Sequence, residues 1–365
     1  MSNSLSPPTK RPDTCLVTGG AGFIGCAIST RLAQAFGHVV AVDNLHPQIH
    51  PTKKRPGALD SEVQLVVADV TEPDTWDQLL GEFRPQVVVH LAAETGTGQS
   101  LTEGSRHALV NVVGTTQMLD GLARHEALPR RIVLASSRAV YGEGAWRDFA
   151  GSESYPGQRS DQMLAAAEWD FHGMTCEPFV AGRTQTHPTS IYGATKLAQE
   201  HILSSWTRSF GVALNMLRLQ NVYGPGQSLS NPYTGIVSLF ARMAKAGISI
   251  PLYEDGAMRR DFVFITDVAD AIVRCAVEEV SGVLADIGTG ASISIAELAH
   301  DIADIYGAPV PHVTGQYRNG DVRHAACTNA SAQAGLGWSA KMPVREGIRQ
   351  LCAWIDQQPL ELTKL

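Results

Sequence analysis

One run of residues constrains this chain more than any other: CLVTGGAGFIG, residues 15–25. A short apolar strand passes straight into a glycine loop, and the loop passes straight into a helix opened by Phe23 and Ile24. Gly19 permits the tight turn, Gly22 lets a diphosphate approach the backbone, and Gly25 lets the helix pack closely on the strand. The first helical turn then offers free amides and the positive end of its dipole to the same anion. Glycines at this spacing also suit an ordinary strand-to-helix turn, so the surrounding pattern has to decide.

It decides for a parallel sheet. After CLVTG come AISTRLAQAF, HVVAVD, VQLVVADV, TWDQLLGEF, QVVVHLAA, HALVNVVGTTQMLDGLARH and RIVLASS, short β-branched runs alternating with longer amphipathic ones. Strands that are apolar along their whole length, separated by helices, are buried on both faces. The fold class expected is α/β, a Rossmann-type doubly wound parallel sheet with a smaller C-terminal α/β substrate-binding region. Residues 143–189 break the rhythm. They are rich in Gly, Ser, Pro and Trp, lack a sustained period, and read as a large solvated loop inserted ahead of IYGATKLAQEHILSSWTRSF. The boundaries expected are a disordered tail at 1–12, a dinucleotide-binding unit at 13–220 that carries the insertion, and a region at 221–365 devoted mainly to substrate, with some chain crossing back to the first sheet.

Composition excludes several classes of function. With 365 residues, 44% hydrophobic and 18% charged, the chain can bury a large core. Its formal charge of −7 comes with no basic run able to follow a phosphate backbone, which argues against nucleic acid as a partner. No apolar stretch reaches the roughly eighteen residues of a membrane span, and the polar start MSNSLSPPTKRP has no apolar signal core. A cytoplasmic protein with no membrane partner is expected. Cys15, Cys26, Cys176, Cys275, Cys327 and Cys352 form no C-x-x-C pair, which fits a reducing compartment.

Two further patterns carry chemistry. The strand HVVAVD ends at Asp43, 18 residues beyond Gly25, where a carboxylate can accept both hydroxyls of an adenosine ribose and would repel a 2′-phosphate. That favours NAD over NADP; the alternative is a turn-forming acid after a strand. SIYGATK, 190–196, holds Tyr192 and Lys196 four positions apart, on one face if helical. Alone, such a pair also suits a solvated helix face. An alcohol gives up hydride only as its proton leaves, and a phenol with a pKa of about 10 is a weak base at neutral pH. A lysine ammonium and an oxidised nicotinamide would both favour phenolate and move Tyr192 toward neutrality. ASSRAVYG, 135–142, begins at a strand end, where the sites of open α/β sheets lie.

The G-x-x-G-x-x-G spacing, the VYG register and Y-x-x-x-K, in this order within roughly residues 14–350, resemble the extended short-chain dehydrogenase/reductase superfamily and its NAD-dependent epimerase/dehydratase family. The resemblance implies NAD as cofactor. Asp43 and Asn44 would meet the adenosine ribose, Asp69 and Val70 the adenine, and Leu91, Ala92, Ala93 and Gln220 the dinucleotide path. Asn111 would support the active-site helix. Counted back from VYG, Ser137 and not Ser136 takes the catalytic hydroxyl position, bridging the reacting oxygen and the Tyr192 phenol, while Lys196 reaches the nicotinamide ribose. A nucleotide-diphosphate sugar is the implied partner. Thr95 and Ser137 would touch it, Asn221 its phosphate, Arg260 and Arg318 its diphosphate, and Asp321 its nucleotide ribose. Taken singly, each of these also suits a surface polar group.

Related sugar-nucleotide 4,6-dehydratases carry an Asp–Glu pair directly after this hydroxyl residue. Here stand Arg138 and Ala139, which cannot exchange protons at neutral pH, so dehydration loses its acid and base. Oxidation at one carbon and hydride return remain. LRLQNVYGPGQSLSNPYTGI (217–236), HLAAETGTGQS and the long insertion narrow the resemblance to dTDP-L-rhamnose 4-epimerases, which interconvert dTDP-L-rhamnose and dTDP-6-deoxy-L-talose. Other readings stay open: a UDP-sugar 4-epimerase of the UDP-galactose or uronate type, an NAD(P)H-dependent 4-ketosugar reductase, and a non-catalytic dinucleotide-sensing protein. Relatives often carry several cysteines in the insertion. Here His172, Cys176 and His187 complete no familiar zinc spacing, so no metal is expected. The family also implies a homodimer through a four-helix bundle of the 104–124 and Tyr192 helices, whose apolar positions would equally serve intrachain packing.

Overall fold

The computed structural model describes residues 11–229, 231 and 235–359. Residues 1–10 of the expected tail, and Ser230, Pro232, Tyr233 and Thr234 of the 217–236 stretch, lie outside the described residues. The tail expected through residue 12 ends sooner: the first strand begins at Arg11, whose backbone pairs in register with Phe36.

Seven strands make the central sheet: β1 (Arg11–Thr18), β2 (Phe36–Asp43), β3 (Gln64–Val67), β4 (Pro85–His90), β5 (Arg131–Ser137), β6 (Ala213–Leu219) and β7 (Leu284–Ile287). All neighbours are parallel, in the order β7-β6-β5-β4-β1-β2-β3. The order reverses between β1 and β4, the place where a doubly wound sheet opens a crevice beyond its carboxyl ends. Among the described residues the helices of ten or more residues are α1 (Phe23–Ala35), α2 (Pro73–Glu82), α3 (Gly114–Arg124), α4 (Ile191–Phe210), α5 (Ile236–Lys245), α6 (Ile265–Val277), α7 (Ile295–Tyr306) and α8 (Val344–Asp356).

The uniformly apolar strands are explained by the two faces they serve. Val17, Val39, Ala41, Val87, Val89 and Val133 pack with Ile28 and Leu32 of α1 and Val268 and Ile272 of α6. Their neighbours Leu16, Val40, Val42, Val88, Ile132 and Leu134 pack with Trp76 and Leu80 of α2, Met118 and Leu122 of α3, and Leu203 of α4. A second core joins Val237, Phe240, Leu298, Ile302, Ile348 and Leu351 of α5, α7 and α8.

Two expectations need correction. The continuous helix read over HALVNVVGTTQMLDGLARH is broken by a π-helical turn at Leu109–Val113, between the short helix Gly104–Ala108 and α3. The insertion is not a bare loop. It folds a small antiparallel sheet from Trp146–Asp148, Glu153–Ser154 and Met174–Cys176, plus the helix Asp161–Ala165. Strands this short show no sequence period; buried Trp146 and Phe179 and the charged network described below hold them instead.

Candidate active site

A cleft of about 610 Å³ runs along the carboxyl ends of β1, β2 and β4. Its floor is the glycine loop, where Gly19, Gly22, Phe23, Ile24 and Gly25 all line the space. Gly19 has φ of +65°, and a Cβ there would lie 2.8 Å from the Ala92 backbone nitrogen, so the loop and the β4 end can approach only because no side chain intervenes. At one end of the cleft stand Asp43, Asn44, Asp69 and Val70; along it lie Leu91, Ala92, Ala93 and Thr95. Asp43 accepts from the Ala21 and Leu45 amides at 3.1 and 2.9 Å, and Asn44 donates to Asp69 at 3.0 Å. Burial would raise the Asp69 carboxyl, but hydrogen bonds from Asn44 and Thr71 outweigh it and hold the group below its usual value.

The π-helical turn delivers Asn111, fully buried, to the junction between this cleft and α4. Its Oδ1 accepts from the Glu94 amide at 2.8 Å, while Nδ2 donates to the Glu94 carbonyl at 3.0 Å and to Thr195 Oγ1 at 2.9 Å. A widened turn at a functional position is a recurrent use of π geometry.

Helix α4 starts where Ser190 caps it, its hydroxyl accepting from the Gly193 amide at 3.0 Å. Tyr192 and Lys196 therefore fall in the first turns, on one face, under the end of β5. Ser137 is the last residue of β5, and its Oγ accepts from the Ala139 amide at 3.1 Å as the chain enters the 3₁₀ turn Arg138–Tyr141. The two serines diverge: Ser136 Oγ donates to Glu200 at 2.5 Å, inside a buried pair of Glu200 with Arg218, whereas Ser137 turns to Tyr192.

Protein groups alone do not acidify the phenol. Burial raises Tyr192 above its ordinary pKa, with the Ser137 hydrogen bond and the Arg138 charge acting the other way. The ammonium expected to lower it is itself perturbed: burial pushes Lys196 down to about 7, against the pull of Glu200. Lys196 is 2% exposed, and its ammonium has no hydrogen-bond acceptor among the described residues. Next to it His90, bonded to Thr18 at 2.7 Å and Thr115 at 2.9 Å, is pushed down to about 3 by burial and then by the Lys196 charge.

Beyond the phenol lies a cluster of polar groups. Arg138 Nε donates to Asn221 Oδ1 at 2.6 Å, and Arg138 feels the charges of Arg260, Tyr192 and Asp321. Arg260 is buried, its guanidinium tied to the carbonyls of Arg259 at 2.8 Å, Arg323 at 3.2 Å and Val322 at 2.6 Å. Arg318 is exposed and stacks over the Tyr253 ring at 4.8 Å. Gln220 is buried beside Gly288, with neither side-chain Oε1 nor Nε2 partnered among the described residues, and it does not line the cleft. Of the insertion's candidate metal ligands, His172 is exposed and pairs with Glu168 at 3.4 Å, Cys176 sits in the short sheet, and His187 lies near Tyr155.

Sequence reasoning missed two sets of residues. Arg138 adjoins Ser137 and could have been found by that adjacency. The other set is Arg159, Glu254 and Arg323. Arg159, from the insertion, grips Glu254 through two hydrogen bonds of 2.9 and 2.8 Å and also donates to the Asp321 carbonyl at 2.8 Å. Arg323 adds bonds to Glu254, Asp255 and Asp170 at 2.9, 2.7 and 3.0 Å. The insertion thus buttresses the loop bearing Asp321.

The sequence profile described as "NAD dependent epimerase/dehydratase family" matches residues 15–162 and 172–288. A dTDP-L-rhamnose 4-epimerase of Burkholderia thailandensis is 58% identical, over 94% of this chain and 95% of that one. A UDP-glucose 4-epimerase of Mycolicibacterium smegmatis is 31% identical over 91% of this chain and 95% of its own length. Among solved structures, the UDP-glucose 4-epimerase of Thermus thermophilus in complex with NAD superposes with a TM-score of 0.74 at 27% identity, covering 95% of this chain and 100% of that one.

Proposed function

The chain belongs to the NAD-dependent epimerase/dehydratase family, and on that premise we propose that it interconverts dTDP-L-rhamnose and dTDP-6-deoxy-L-talose. It is an NAD-dependent nucleotide-sugar 4-epimerase. The observation that carries the choice of sugar is the 58% identity to a dTDP-L-rhamnose 4-epimerase, sustained over 94% of the chain.

The residues fit the cofactor on two counts. The glycine loop leaves room for a diphosphate at the start of α1, and the Lys196 ammonium is buried without a protein acceptor, as a group awaiting ribose hydroxyls would be. Bound NAD supplies the acceptor and later the donor of the C4 hydride. Tyr192 removes the C4 hydroxyl proton, with Ser137 bridging the sugar oxygen and the phenol. Asn221, Arg260 and Asp321 hold the nucleotide end while the 4-keto hexose turns, so that hydride returns to its other face. Tyr192 then gives the proton back. Arg138 and Ala139, following Ser137, leave no acid–base pair for eliminating water.

Among the described residues no helix is long and apolar enough to cross a membrane. We infer a cytoplasmic homodimer, the pairing supported by exposed Leu109 and Val113 on the 104–124 segment and Ile191 on α4.

The test is to incubate the purified protein with dTDP-L-rhamnose, add no cofactor, and follow C4 configuration by NMR. A mixture of the two epimers is expected. An unchanged sugar, with UDP-galactose turned over in a parallel incubation or with NADH consumed stoichiometrically when it is supplied in a second one, rejects the proposal.

A further inference from the structure

The inner end of the site holds a cation that the reaction as described does not use. Arg138 follows Ser137 directly and is only partly exposed. Its Nε is spent on Asn221 Oδ1 at 2.6 Å, but its two terminal amino groups have no acceptor among the described residues. A guanidinium drawn out of bulk water with unfilled donors is costly unless an anion joins it.

Neither other arginine near this position presents a free pair of terminal amino groups to it. Arg260 Nη1 donates to two backbone carbonyls and Nη2 to a third, which leaves it single N–H groups on Nη2 and Nε for the nucleotide end. Arg318 lies outside, stacked on Tyr253. The hydrogen bond from Arg138 also fixes Asn221, leaving Asn221 Nδ2 as a donor beside the fork.

We propose that Arg138 is a specificity-determining residue whose paired terminal amino groups bind two oxygens of the hexose-bearing phosphate, setting its distance from the Tyr192 hydroxyl. A planar fork matches phosphate geometry in a way an ammonium cannot. The charged and titratable groups facing this position are Arg260 on the strand Arg259–Arg260, Asp321 on the buttressed loop, and Tyr192 on α4, with the His107 ring 6.4 Å from that of Tyr192. Burial and the Arg260 charge push Arg138 down to about 9, and a phosphate between the two arginines would reverse that. The Arg138 charge also favours phenolate at Tyr192, so Arg138 is in addition a positioning residue for the proton transfer.

This inference rests on the nucleotide-sugar reading, and its test uses a probe that needs no turnover. Binding of dTDP and dTMP is measured by calorimetry on the NAD-loaded wild type, Arg138→Ala and Arg138→Lys. Wild type should prefer dTDP. Arg138→Ala should weaken dTDP on the order of tenfold or more, leaving dTMP within a factor of about two. Arg138→Lys should recover only part of the loss, with KM for the sugar nucleotide still raised and the pH profile of kcat near wild type. Equal loss of dTDP and dTMP, unchanged dTDP binding in Arg138→Ala, or full rescue by lysine would each overturn the proposal. If wild type binds neither thymidine nucleotide, the choice of base fails, and UDP against UMP makes the same comparison for Arg138.

Discussion

The Asn111 amide donates a 2.9 Å hydrogen bond to the Thr195 hydroxyl, which ties the π-helical turn to the residue beside Lys196. Both partners are buried, and the same amide group also clamps the backbone of Glu94 at the cleft wall. Asn111→Ala should strand these groups and cost about 1–3 kcal/mol of stability in urea unfolding. Activity at a temperature where the variant stays folded should fall further than that of a surface control. Full activity with unchanged stability would show that the clamp is idle.

Tyr192→Phe removes the phenol bonded to Ser137 and should lower kcat by about 10²- to 10⁴-fold, with copurifying NAD unchanged. Single-turnover formation of the 4-keto sugar is the measurement. Near-normal turnover would end the assignment of Tyr192 as the base.

Lys196 gives a stability prediction with a definite sign. Its pKa in the fold, about 7, lies below the 10.5 of a free lysine, so between these values the unfolded chain binds the extra proton and stability rises with pH. Below pH 7 the full burial penalty of the charge is present. Lys196→Met should therefore stabilise the cofactor-free protein, on the order of a few kcal/mol, at pH 6, with the gap closing toward pH 10. Thermal melts across that range test it. A constant gap would mean that the lysine is not titrating in the window.

Arg159 and Glu254 are each about 1% exposed in their side chains and are paired at 2.8 Å. Removing Arg159 leaves Glu254 to Arg323 at 2.9 Å and takes from buried Glu143 the guanidinium 3.4 Å away, so Arg159→Ala should cost about 3 kcal/mol. KM for the sugar nucleotide should rise as the Asp321 loop loosens, while NAD retention holds. Loss of NAD with unchanged KM would place the network's influence on the wrong half of the molecule.

The dinucleotide cleft was largely legible because its signals are local. Gly19, Gly22 and Gly25 act within one turn, and Asp43 closes the next strand, so spacing alone brings them together. The alternating faces of β1, β2, β4 and β5 were legible as apolar runs for the same reason. The insertion was opaque because its order comes from afar: Arg159 finds Glu254 95 residues away and Asp321 162 residues away. The π turn at Leu109–Val113 leaves the apolar pattern intact and carries no mark in sequence. The perturbation of Lys196 was invisible for a different reason, since burial and not the neighbouring acid decides its proton.

Strand β7 lies at the sheet edge against β6, and its chain arrives there from α6, which packs on α1 and is bonded to it through Arg31 and Asp270 at 3.0 Å. Sugar-facing and dinucleotide-facing residues are consequently not carried on exchangeable cassettes. Cutting the gene near codon 220 would strip an edge from one half and leave the other without a scaffold, so a new hexose preference must be reached by point substitutions around a shared frame, not by recombining halves.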